Sequence, residues 1–109
     1  MTNKEVEEKI QQLQLLEQNL QAFLLQKQSF QQQLAEIESA LKEIKDSKEV
    51  YKIIGNVMLA TKKEELKKDL EDRKEKTELR IKTMERQEER TKERAQELQR
   101  EVLQKIKKK

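Results

Sequence analysis

The sequence predicts a mainly α protein: a long antiparallel two-helix coiled coil whose arms are joined by one β-hairpin. Three observations predict it. The 109 residues are 43% charged and 3% aromatic, with no proline, cysteine, histidine or tryptophan. A chain rich in Glu, Lys, Arg, Gln and Leu suits long helices and is too polar for a globular core. Apolar residues recur at 3,4 spacing on either side of the centre, a period that a disordered chain of similar polarity would not keep. Only residues 50–61 break that pattern, and they hold the single glycine and the single tyrosine.

The first helix is predicted over 3–46, started by a capping box, Thr2-Asn3-Lys4-Glu5. Val6, Leu13, Leu20, Leu34 and Leu41 fall on heptad position a, and Leu16, Phe23, Phe30, Ile37 and Ile44 on d. Only Lys9 and Lys27 interrupt this seam, which argues for a coiled coil. The second helix is predicted over 62–106, opened by Thr61-Lys62-Lys63-Glu64 as another capping box. Its seam runs through Leu70, Thr77, Ile81, Met84, Thr91, Ala95, Leu98 and Val102. Lys74, Glu88 and Lys105 occupy seam positions too, so this arm depends on the first for stability.

The arms are of similar length, each about 60 Å at 1.5 Å per residue, so a turn between them implies folding back. Antiparallel pairing then sets Val6 near Val102, Ile10 near Leu98, Leu13 near Ala95, Phe23 near Met84 and Leu41 near Leu66. Residues 1–49 carry 6 basic against 9 acidic side chains and residues 63–109 carry 17 against 13, so the arms should attract one another. The chain is expected to be one domain, residues 1–109, forming a rod with the hairpin (49–61) at its base, a free tip where the termini meet, and a basic tail at 107–109.

Val50-Tyr51-Lys52-Ile53-Ile54 and Val57-Met58-Leu59-Ala60-Thr61 are rich in β-branched and apolar residues. They flank Gly55-Asn56, a dipeptide that supplies the positive φ angles of a tight hairpin turn. An apolar helix-to-helix connection is the alternative. A hairpin with one wet face would alternate apolar and polar residues, but here only Lys52 interrupts, so both faces need covering. Two strands alone are marginal in water and present open edges, and the rest of the chain offers no further strand. The hairpin is therefore expected to complete a sheet or small barrel made from several subunits.

The hairpin, set between two heptad-bearing helices, resembles that of β-type subunits of the prefoldin family, archaeal and eukaryotic alike. Its Val-Tyr-Lys-x-x-Gly core is followed by a charged helix, Leu79-Arg80-Ile81-Lys82-Thr83-Met84-Glu85-Arg86-Gln87-Glu88-Glu89, similar to the family's own. The similarity covers nearly the whole chain. It departs in a shorter linker, Lys45-Asp46-Ser47-Lys48-Glu49, and in Ala60, where a bulkier residue is common. The resemblance implies a co-chaperone of two α-type and four β-type subunits, whose hairpins build a β-barrel platform carrying six coiled coils. Their tips hold unfolded client protein and pass it to a group II chaperonin, with no nucleotide hydrolysis and no cofactor. An α-type subunit would carry two hairpins, so a single one implies the β-type.

The assembly residues expected on this reading are Val50, Tyr51, Ile53, Ile54, Gly55, Val57, Met58 and Leu59. The client-binding residues expected at the tip are Val6, Ile10, Leu13, Leu98, Val102, Leu103 and Ile106. Leu103 lies off the seam and Ile10 and Ile106 flank it, whereas Val6, Leu13, Leu98 and Val102 obey the heptad and would be uncovered only if the tip splays. For each of these, simple completion of the coiled coil is the alternative. Leu15, Leu24, Leu25 and Leu79 also lie off the seam, either lining a cavity between arms or scattered on the surface. Lys27, opposite Glu78 and Ile81, is a register device or a snorkelling lysine. The Lys105-Ile106-Lys107-Lys108-Lys109 tail either steers acidic partners or is simply solvated.

Without histidine, cysteine or an enclosed pocket, catalysis and metal binding are not expected. Nucleic-acid binding through Arg80, Arg86, Arg90, Arg94, Arg100 and the lysine tail is opposed by interleaved glutamates and the lack of stacking aromatics. A structural coiled-coil tether fits the arms but leaves the doubly apolar hairpin unexplained. No apolar run approaches the roughly 20 residues of a membrane span, and the N-terminus lacks a signal-like apolar segment. The absence of cysteine fits a cytoplasmic setting.

Overall fold

Forty-four residues without glycine or proline, Asn3–Asp46, form a single α-helix, α1. Two five-residue strands follow, β1 (Val50–Ile54) and β2 (Val57–Thr61), and then a second long helix, α2 (Lys63–Lys107). This computed structural model describes residues 3–107. Thr2, the expected cap of α1, lies outside the described residues, as do Met1 and the last two lysines of the tail, Lys108 and Lys109.

Hydrogen bonds to its last carbonyls end α1. The Ser47 Oγ donates to the Glu43 carbonyl at 2.8 Å, and the Ser47 N–H donates to the Ile44 carbonyl at 3.3 Å. From the first turn of α2, the Lys63 ammonium donates to the carbonyls of Lys45 and Ser47 at 2.8 and 3.2 Å. Carbonyls at a helix C-terminus have no partner within the helix and attract cations, so Lys63 ties the end of one helix to the start of the next.

β1 and β2 pair antiparallel in the register Val50↔Thr61, Tyr51↔Ala60, Lys52↔Leu59, Ile53↔Met58 and Ile54↔Val57. The turn corrects the sequence expectation. Gly55 alone has positive φ, at 60°, and no non-glycine residue does, so Asn56 stays in the ordinary region. Positive φ at the first central residue alone is the pattern of a type II′ turn, which matches strand twist as well as type I′ does. The capping box expected at Thr61 is also corrected. Thr61 pairs with Val50 as the last residue of β2, and the Lys62 carbonyl accepts the Leu66 N–H at 3.1 Å. The helix therefore starts one residue later, with Glu64 and Glu65 in a first turn whose dipole favours them.

The described residues divide into two units: a terminal unit of residues 3–28 with 82–107, and a hairpin unit, Ser29–Ile81. In each, α1 and α2 segments pair antiparallel along the heptad seam. Protected positions in the terminal unit are 6, 9, 13, 16, 20, 23 and 27 on α1, and 84, 88, 91, 95, 98, 101, 102 and 105 on α2. In the hairpin unit the helix positions are 30, 34, 37, 40, 41 and 44, with 66, 70, 74, 77 and 81. Leu98 is 1% exposed, and Ala95 and Val102, on the same face of α2, are buried with it in the terminal unit, while Ile44 is buried in the hairpin unit. Thr77 and Thr91 sit in the seam because each hydroxyl donates to the carbonyl four residues back, at 2.7 and 2.8 Å.

Charge pairing differs from the bulk balance of the arms. In the terminal unit Lys9 meets Glu101 at 2.6 Å and Lys27 meets Glu88 at 3.2 Å, both with the cation on the acidic arm. In the hairpin unit Lys74 lies 3.9 Å from Glu38. Local seam geometry chooses partners, because attraction between exposed charges is screened within about 10 Å. No helix among the described residues is long and apolar enough to cross a membrane.

Candidate functional site

The strand register sorts the hairpin side chains onto two faces. Val50, Lys52, Ile54, Val57, Leu59 and Thr61 share one, and Tyr51, Ile53, Met58 and Ala60 the other. The first face carries a tie to α2, since the Lys52 Nζ lies 3.5 Å from Asp69 Oδ2. On the second face Ile53 is 67% and Met58 63% exposed, and Tyr51 is open too. The tied face fares little better, with Ile54, Val57 and Leu59 all about half exposed or more and Val50, Lys52 and Thr61 part-covered. Ordinary soluble surfaces do not cluster this many large apolar side chains. The sheet has two strands only, so each has one edge unpaired within the chain.

One hydrogen bond here had no sequence signal. The Tyr51 hydroxyl donates to Glu49 Oε2 at 2.7 Å, and holding that proton raises the phenol above its usual pKa. The bond orients the ring beside β1. The Lys63 clamp was likewise unreadable, because nothing distinguishes Lys63 from its lysine neighbours until the end of α1 is located.

The terminal unit divides the other candidate residues. Leu98 and Val102 are buried and Val6 and Leu13 part-buried in the seam, whereas Ile10, Leu103 and Ile106 are exposed, the last two at 56% and 55%. Leu103 and Ile106, three residues apart on α2, share a helix face. Leu15, Leu24 and Leu25 are exposed in this unit and Leu79 in the other.

Lys27 meets a different partner from the Glu78 or Ile81 read opposite it. Its ammonium reaches Glu88, about two helical turns further along α2, and Glu88 also accepts from Lys92 at 3.0 Å. Glu88 is well covered for a charged residue, its side chain 15% exposed. Hydrogen bonds from Lys92 and Lys27 hold its carboxyl below the usual glutamate pKa, and the bond from Lys9 does the same for Glu101. The lysines in the α1 seam are thus paired, which is how a charge persists at a part-buried position. Among the described residues no cluster of three or more acidic side chains is placed to hold a metal ion.

Long helix, single apolar hairpin, long helix defines the class: a coiled-coil subunit whose small sheet is unfinished within its own chain. Residues 7–109 match the family model described as prefoldin subunit. The prefoldin subunit beta of Archaeoglobus fulgidus is 42% identical over 88 residues, spanning 78% of this chain and 76% of the relative. That of Sulfurisphaera tokodaii is 37% identical over 87 residues, 77% of this chain and 70% of the relative. The fold agrees with the crystal structure of the prefoldin beta subunit from Thermococcus strain KS-1, at TM-score 0.83 and 33% identity, covering 90% of this chain and 89% of that one. The chain belongs to the prefoldin subunit family, whose members are chaperone subunits.

Proposed function

We propose that this chain is the β-type subunit of a cytoplasmic prefoldin hexamer, two α-type and four β-type chains, that holds unfolded protein without ATP and delivers it to a group II chaperonin. The observation that carries the assembly half is the hairpin, apolar and exposed on both faces, in a chain similar to prefoldin beta subunits along most of its length. Val50, Tyr51, Ile53, Ile54, Val57, Met58 and Leu59 pack against neighbouring hairpins, and Gly55 makes the turn that sets their register. Each large side chain covered there contributes about 1.5–3 kcal/mol.

Client contact falls to the terminal unit. Ile10, Leu103 and Ile106 stand ready on its surface, and Val6, Leu13, Leu98 and Val102 join only when the helices part. Few side chains per subunit give weak contacts, and six subunits acting together give holding with release. The family is one of chaperones, and the chain acts by surface contact, not by catalysis.

Aggregation of a chemically denatured client, followed by light scattering with and without the assembled protein, tests the reading. The parent assembly suppresses aggregation, and removal of residues 1–12 and 99–109 abolishes suppression while leaving the oligomer intact. Full suppression by the truncated oligomer would move client contact elsewhere.

A further inference from the structure

We infer that the groove between the two helices of the hairpin unit docks an acidic amphipathic helix of a partner protein. Its lining residues belong to neither the hairpin strands nor the terminal unit, so the inference stands independently of the client-holding reading. The groove encloses about 450 Å³. Its floor is apolar, from Ile37 and Ala40 on α1 and Leu70 on α2, and the α2 wall carries three cations, Arg73, Lys76 and Arg80. One carboxylate, Glu36, is among the lining residues on the α1 side.

Those three cations share one wall of the groove and, like most lysines and arginines among the described residues, have no carboxylate partner. Lys9, Lys27, Lys52, Lys74, Lys92 and Arg94 each have a carboxylate within 4 Å, whereas among the described residues Arg73, Lys76 and Arg80 have none. Arg80 lies over the Phe30 ring, 5.8 Å from its centre, which holds the guanidinium in place. Positions i, i+3 and i+7 lie on one face of α2, where like charges repel. A ligand carrying carboxylates relieves that repulsion and offers arginine the planar, two-oxygen partner its fork fits.

Spacing and floor select the ligand. The cations span about 10 Å along α2, two helical turns, so carboxylates at i, i+3 and i+7 of a second helix meet them in step. An apolar stripe on that helix then rests on Ile37, Ala40 and Leu70, the usual mode of a helix in a groove. Nucleic acid fits less well. Its phosphates would face Glu36, its bases would find no aromatic platform in the lining, and it has no apolar stripe for the floor.

The probe is a fluorescein-labelled synthetic peptide with glutamates at i, i+3 and i+7 and leucines on the adjoining stripe, titrated with the assembled full-length protein and read by anisotropy. Saturable binding is expected, weakening about tenfold or more from low to high salt as screening shortens. The chain carrying Arg73→Glu, Lys76→Glu and Arg80→Glu loses binding by at least a similar factor, at unchanged helicity and oligomer mass. A matching peptide with lysines in place of the glutamates binds that reversed chain. If the reversal disturbs folding, the triple glutamine variant takes its place. Equal binding of the acidic peptide by the parent and the altered chain overturns the inference, as does a single-stranded oligonucleotide that displaces the peptide and depends on the same three residues. Suppression of client aggregation stays at the parent level in the reversed chain, so failure of docking and failure of holding are read separately.

Discussion

In the terminal unit the large apolar residues of two helices mostly face one another, with Leu98 almost fully covered; in the hairpin unit most of the strand residues point Ile53, Ile54, Met58 and their neighbours into open space. Both sets are equally apolar in sequence. What separates them is whether the chain can satisfy them itself. A 3,4 repeat on one helix finds its complement on the other, whereas a two-stranded sheet has nothing to lay across its faces or along its edges. The first set stabilises the subunit and the second specifies a partner. The exceptions in the terminal unit, Ile10, Leu15, Leu24, Leu25, Leu103 and Ile106, are apolar residues left over after the seam is filled.

The contrast yields effects of different kinds and sizes. The largest is expected from Ile53→Asp, which places a charge on the sheet face that carries no tie to α2. The oligomer should fall to smaller species while circular dichroism still reports long helices, and an unchanged mass by light scattering would erase the distinction between the two sets. Next, Leu98→Ala should cost about 2–5 kcal/mol in thermal unfolding at fixed chain concentration, with assembly retained. The comparison sharpens if Met58→Ala, at an exposed strand position, instead weakens assembly and leaves the helices of the dissociated chain as stable as before.

The smallest effect belongs to the polar seam positions. Glu88 and Glu101 are held below the ordinary glutamate pKa in the folded chain. The stability they contribute is therefore complete above the unfolded value of about 4.3 and is lost as pH falls through the lower folded values. Melting temperature should drop through this acid range more steeply in the parent than in the Lys9→Met, Lys27→Met double variant. Parallel curves would show that these pairs contribute nothing.

Much of this was legible in the residues. The heptads locate the protected face of both helices, down to Lys9, Lys27, Lys74 and Glu88 within it, because a period of 3.5 decides which side of a helix is covered whatever stands there. Residues 50–61 declare the hairpin through β-branched runs around the single glycine. What escaped was conformational detail with near-equal alternatives. Type I′ and II′ turns both suit Gly-Asn, and the sign of the Asn56 φ tells them apart. Thr61 serves equally as a helix cap or a strand end, and the ladder bond to Val50 claimed it. Both Lys27 and Glu88 are seam positions, but the heptad fixes a face and not which residue of the other arm lies opposite, so Lys27 meets Glu88 about two turns beyond the Ile81 read across from it. The groove of Arg73, Lys76 and Arg80 was hidden for another reason: its α1 wall lies more than thirty residues away in sequence.

Hydrogen–deuterium exchange of the assembled protein, set beside the dissociated Ile53→Asp chain, tests most directly whether the hairpin is the assembly element and the terminal unit the free one. Amides of residues 50–61 should exchange far more slowly in the assembly, because neighbouring subunits cover both faces and edges, while residues 3–12 and 99–107 should exchange alike in the two samples. Equal exchange of the hairpin in both, with protection appearing at the termini instead, would contradict it.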